Sequence, residues 1–147
     1  MTLINYLSRV HFADGVLEIA LGSELEVNNF RSAMLVSEAT VNKEFSERVA
    51  SGLPVSVEVS KQTIRKSEAN RDAVARLASC VITNPTDVVI AFGSSRALLL
   101  ADTCCKQVRA ANNRIATTAD ETSLSPELIA IPGVDGVPGM SLSLIHI

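Results

Sequence analysis

Val88-Val89-Ile90-Ala91-Phe92 is an unbroken apolar run that ends in Gly93-Ser94-Ser95 and passes directly into a segment with helical apolar spacing. A strand without polar alternation must be covered on both faces, as a central strand of a parallel sheet is by its flanking helices. Small residues then turn the chain. Ser94 or Ser95 can cap a helix running to about Ala111, which Asn112-Asn113 would end. This one strand, turn and helix already directs the chain toward a layered α/β fold.

The rest of the chain repeats the pattern. Leu3 to Phe12 mixes apolar and polar residues and reads as an edge strand, and Asp14-Gly15 turns the chain. Val16, Ile19, Ala20 and Leu25 support a helix interrupted near Gly22-Ser23, with its exit at Asn28-Asn29. Ala33 to Val36 fits a buried strand. Val41, Phe45 and Val49 then share one helical face, stopped by Ser51-Gly52. Val55-Ser56-Val57-Glu58-Val59 alternates as a strand, and Ser67 to Ile82 follows helical spacing up to Asn84-Pro85. Leu128 to Ile131 is a last short strand. Strict alternation of strand and helix predicts a Rossmann-like open, mainly parallel sheet with helices on both faces.

Composition narrows the function classes. With 147 residues, 47% hydrophobic and 3% aromatic, the chain can form one core packed from Val, Ile, Leu and Ala. A net charge of -3 gives no electrostatic footprint for nucleic acid, and the basic run Lys61 to Lys66 reads as a solvated face. No stretch reaches the ~20 apolar residues of a membrane span, and the first ten residues lack the layout of a signal peptide. The cysteines, Cys80, Cys104 and Cys105, are odd in number and poorly spaced for pairing, so buried free thiols in a reducing cytoplasm are expected.

Two features point to a nucleotide. The Gly93-Ser94-Ser95 turn opens a helix whose unpaired N–H groups and positive dipole end suit a phosphate, although plain capping produces the same turn. Glu38 follows Leu35-Val36-Ser37 at the carboxyl end of the second strand, where doubly wound folds hold ligands. A carboxylate there can accept from both ribose hydroxyls and would repel a 2′-phosphate, favouring NAD over NADP. It also suits the first turn of the next helix, as a complement to that helix dipole.

Three blocks, in order, resemble the iron-containing alcohol dehydrogenases. They are Arg9-Val10-His11-Phe12-Ala13-Asp14-Gly15, Asp87 to Gly93, and Glu127-Leu128-Ile129-Ala130-Ile131-Pro132. The resemblance runs to Pro132 and covers the first part of that family's fold. It implies a dehydroquinate synthase-like N-terminal nucleotide-binding domain over residues 1–141, with Glu38 on the adenosine ribose. Gly93, Ser94, Ser95 and Arg96 would stand at the pyrophosphate-binding "GGGS" turn, where Ser94 and Ser95 replace glycines and Arg96 replaces serine. Arg96 can pair with a phosphate or block the seat. Leu99 and Asp102 stand where the family has aspartate and lysine, and Gly133 and Val134 where it has threonines.

The family's iron ligands, an aspartate and three histidines, lie in a helical domain beyond the end of this sequence. His11 and His146 are the chain's two histidines. The resemblance therefore implies an NAD-binding fragment of an alcohol-oxidising enzyme, without its metal domain and inactive alone. The alternative is a non-catalytic relative that serves as an interaction or regulatory domain, and a homo-oligomer is a further candidate partner. Leu142-Ser143-Leu144-Ile145-His146-Ile147 reads like the translation of a transposon-end sequencing adapter, so 142–147 is expected to be a non-native tail. A natural apolar segment capping a sheet edge is the other reading.

Overall fold

The computed structural model describes residues 8–12, 17–115, 126–132 and 142–146, with side-chain surroundings for 21–111 and 126–131. The chain runs β1 (Ser8–Phe12), α1 (Leu17–Val27), β2 (Ser32–Glu38), α2 (Lys43–Ser51), β3 (Glu58–Ile64), α3 (Asn70–Thr83), β4 (Val88–Gly93), α4 (Ser95–Ile115), β5 (Glu127–Pro132) and β6 (Leu142–His146). These strands form one sheet in the order β1-β6-β5-β4-β2-β3. The pairs β3–β2, β2–β4 and β4–β5 are parallel, as the strand–helix alternation predicts.

Alternation of side chains across β4 explains the two helical layers. Val89 and Ala91 join Met34, Val36 and Leu128 under α3 and α4, where Ala73, Leu77, Ala97, Ala101 and Cys104 close the layer. Val88, Ile90 and Phe92 face the other way, with Leu35, Ile129 and Ile131, against Leu21, Leu25 and Val49 of α1 and α2. Each Val, Leu, Ile, Met or Phe among them, removed from water, contributes about 1.5–3 kcal/mol before the entropy of ordering it is subtracted. Asp87 pins the start of β4. Its carboxylate accepts from Arg31 N–H at 2.8 Å, its own N–H donates to Ser32 Oγ at 2.9 Å, and its carbonyl accepts from Glu127 N–H at 3.0 Å.

Several elements differ from the sequence expectation. The edge strand forms at Ser8–Phe12 and runs in the direction of the parallel set, but its sheet partner is the antiparallel β6, which lies between it and β5. Leu142–His146, set aside as a tail, is that β6; it runs antiparallel to both β1 and β5 and links them. Helix α1 continues through Gly22-Ser23. A Cβ at Gly22 would come within 3.1 Å of the Gly52 carbonyl oxygen, so this glycine serves the close crossing of α1 and the end of α2.

The alternating valines at 55–59 mislead about where the third strand begins. Val57 N–H donates to Pro54 O at 3.0 Å in a turn, Val55 is fully exposed, and pairing with β2 starts at Glu58 opposite Ser32. The strand continues through polar Lys61-Gln62-Thr63 because it is the sheet edge and most of its side chains meet water. Val41 precedes α2, whose cap is Asn42, with Oδ1 accepting from Glu44 N–H at 2.8 Å and Phe45 N–H at 3.3 Å. Helix α4 runs on through Asn112-Asn113 to Ile115. Residues 3–7 of the expected first strand and Val16 lie outside the described residues.

Candidate functional site

Chain direction makes one end of the parallel sheet special. From β2 the chain moves to one side to form β3, then returns across to the other side to form β4. The carboxyl ends of β2 and β4 therefore flank a topological switch point, where connections diverge and leave a crevice. Glu38 is the last residue of β2 and Gly93 the last of β4. Pro132, closing β5, is the register partner of Gly93, which brings the third sequence block level with the turn.

Gly93 is required by its surroundings. Its φ is +100°, and a Cβ would sit 3.0 Å from Val41 Cγ2 in the loop after β2. That loop is itself fixed: Ala39 N–H donates to Ile64 O at 2.9 Å, and Val41 N–H donates to Glu38 O at 3.0 Å. The turns after β2 and β4 thus pack directly on one another.

Ser94 ties the turn to the acid. Its hydroxyl donates to Glu38 Oε1 and accepts from Ala97 N–H at 3.2 Å, while its carbonyl accepts from Leu98 N–H at 3.2 Å. Ser94 is therefore the cap of α4, and Ser95 is its exposed first residue. Two donors of the first turn are satisfied in this way; those of Ser95 and Arg96 have no partner among the described residues.

Arg96 spans the crevice. Nη1 donates to Glu38 Oε2 at 3.0 Å and to Arg65 O at 3.1 Å, Nε donates to Asn70 Oδ1 at 2.8 Å, and Nη2 donates to Glu68 O. Both Glu38 oxygens are thereby held, and the pair is largely shielded, with 14% of the Glu38 side chain and 23% of Arg96 exposed. The Ser94 hydroxyl chiefly, and then Arg96, hold the Glu38 carboxyl below its ordinary pKa, against burial acting in the other direction.

All five site residues chosen from sequence thus lie at one turn-rich end of the sheet. Sequence reasoning missed Arg65, Glu68, Asn70 and Val41. Arg65 and Glu68 belong to the turn from β3 to α3 and Asn70 opens α3, and their closeness to Glu38 follows only from strand order. Glu68 has its own partner: Arg76 donates to it from Nε at 3.0 Å and Nη2 at 3.1 Å, and also to Gln62 Oε1 at 2.7 Å and Thr63 O at 2.9 Å.

Other sequence candidates fall elsewhere. Leu99 is 59% exposed on α4, and Asp102 pairs with Lys106 at 3.0 Å one turn on, which offsets its charge. Gly133 and Val134 lie outside the described residues. Cys104 and Cys105 are buried free thiols, their pKa values pushed up to about 11 and about 12 by burial, while Cys80 is half-buried. Among the described residues, no three His, Cys, Asp or Glu side chains gather where they could hold a metal ion. None of the described helices is long and apolar enough to cross a membrane. A groove of about 410 Å³ opens at the other end of the sheet, between β3 and the end of α3, and includes none of the five site residues.

No family sequence model matches the chain, and no curated protein does. Solved structures do. An iron-containing alcohol dehydrogenase from Thermococcus thioreducens superposes with a TM-score of 0.60 at 14% identity, over 89% of this chain and 40% of that one. An archaeal halo-thermophilic alcohol dehydrogenase from a Red Sea brine pool gives 0.56 at 19% identity, over 80% and 32%. The NADH-dependent butanol dehydrogenase A of Thermotoga maritima gives 0.55 at 14% identity, over 77% and 26%. The chain therefore has the α/β fold of the N-terminal portion of these dehydrogenases and spans between about a quarter and two fifths of their length.

Proposed function

We propose that this chain is the dinucleotide-binding portion of an oxidoreductase of the iron-containing alcohol dehydrogenase type, with hydride transfer between an alcohol and NAD as the reaction of the whole protein. One observation carries the reading. The acid and the Gly-Ser-Ser-Arg turn, selected as ribose and pyrophosphate contacts, converge at the switch point between β2 and β4.

In this reading Glu38 accepts from the adenosine ribose hydroxyls. The backbone at Gly93 admits the pyrophosphate closely, and the N–H groups of Ser95 and Arg96 face it with the positive end of the 21-residue helix α4. NAD, when bound, would supply the hydride acceptor. The NADH dependence named for the Thermotoga maritima butanol dehydrogenase agrees with that choice. No group of described side chains suits iron, so no step through a metal is assigned to this chain.

A second reading, a non-catalytic relative that works by association, is favoured by the closed Glu38–Ser94–Arg96 network. Both oxygens that would meet the ribose already accept hydrogen bonds from the protein itself. Calorimetric titration of the chain with NAD decides between them. We expect saturable binding that disappears in Glu38→Ala. No heat from protein shown to be folded would leave the non-catalytic reading.

A further inference from the structure

Building on the dinucleotide reading, we propose that Arg96 determines cofactor selectivity at this site and makes it accept a 2′-phosphorylated dinucleotide about as well as an unphosphorylated one. An acid after the second strand excludes a 2′-phosphate because a bare carboxylate repels it and offers no donor, whereas an arginine nearby accommodates that phosphate. Glu38 is not bare. Arg96 Nη1 is 3.0 Å from Oε2 and Ser94 donates to Oε1, so an approaching phosphate meets a neutral pair that includes a guanidinium instead of a bare negative charge.

Arg96 can also take up an anion without abandoning Glu38. Two of its bonds go to neutral backbone carbonyls, those of Arg65 and Glu68. A phosphate oxygen is a stronger acceptor than either, since charge-assisted bonds to guanidinium are roughly twice as strong as neutral ones.

The neighbouring turn adds to the positive field. Glu38 pairs in register with Ile64, so Arg65 and Lys66 begin one residue past the acid's strand partner, and both are exposed. The other carboxylate of this turn, Glu68, is neutralised by its two bonds to Arg76. Arg71 and Asp72, in the first turn of α3, together add no net charge. Arg65 and Lys66, the end of the basic run that reads in isolation as a solvated face, therefore border the ribose end of the crevice.

The test is calorimetric titration of the chain with NAD and, separately, NADP, in one low-salt buffer, for wild type, Arg96→Met and Arg96→Lys. The wild-type dissociation constants should agree within about three-fold, and Arg96→Met should weaken NADP relative to NAD by about ten-fold or more, with Arg96→Lys in between. Wild type that takes NAD and not NADP would overturn the inference and leave the dinucleotide reading standing. An unchanged ratio in folded Arg96→Met would also overturn it. Binding of neither cofactor to folded wild type would sink both together. Should Arg96→Met fail to fold, the wild-type ratio and Arg96→Lys still decide.

Discussion

Two arginine–carboxylate clusters sit at the same end of the sheet and do different work. Arg76 reaches Gln62, Thr63 and Glu68, all within the single unit formed by β3, its turn and α3. It staples one turn to the helix that follows it, and 36% of its side chain remains exposed. Arg96 instead connects residues 26 to 58 positions away, drawing the ends of β2 and α4 and the β3–α3 turn together across the switch point. The same ion-pair chemistry is local reinforcement in one place and closure of a crevice in the other. Position in the topology, more than residue type, separates them.

Truncating each arginine sharpens that contrast most. Arg96→Met should lower unfolding free energy by about 2–3 kcal/mol, since it leaves a shielded carboxylate with one partner fewer and frees three segments at once. Arg76→Met, at a more exposed pair, should cost about 1 kcal/mol. Urea unfolding of the two variants tests the order, and equal losses would mean that the long-range clamp holds no more than the local one.

Gly93→Ala comes next, at about 1–2 kcal/mol for a side chain at positive φ, with the close approach to Val41 acting in the same direction. Thermal melts of Gly93→Ala beside Gly22→Ala compare a strained turn with a helix crossing. The glycine at the switch point should show the larger drop.

The smallest effect is that of pH. Glu38 and Glu68 both have carboxyl pKa values lowered below 4.5 by their hydrogen-bonding partners. A group whose folded pKa is depressed contributes stability that is complete above its unfolded value and is lost as pH falls through its folded value. Stability should therefore hold above about pH 5 and decline below 4.5. Glu38→Gln should flatten part of that acid slope in urea midpoints measured between pH 3 and 6, and a slope left unchanged would mean that the Glu38 pair contributes nothing to it.

Legibility followed burial. The run Val88–Phe92 names its own environment, because only a strand covered on both faces tolerates five apolar residues in sequence. Ala33–Val36 and Leu128–Ile131 were readable for the same reason. The third strand was not. Its chemistry is that of an exposed edge, and the apolar alternation just before it belongs to a turn with Val57 tucked into the layer covered by α1 and α2. The antiparallel pairing of β1 and β6 was equally hidden, because the two strands lie at opposite ends of the sequence and no local pattern relates them.

The candidate site divides the same way. The sequence by itself determined the layered α/β class, the parallel core, the glycine turn after its central strand and the acid after its second strand. Those properties reside in residues close together along the chain, where periodicity and backbone freedom act. Only the tertiary structure decided that Glu38 is already paired and that Arg96 lies across the crevice. It alone brought the β3–α3 turn against both, and left the Ser94 hydroxyl shared between a helix cap and a carboxylate. Those contacts join residues dozens of positions apart, and strand order, which fixes their distances, is set by the packing of the whole sheet rather than by any local segment.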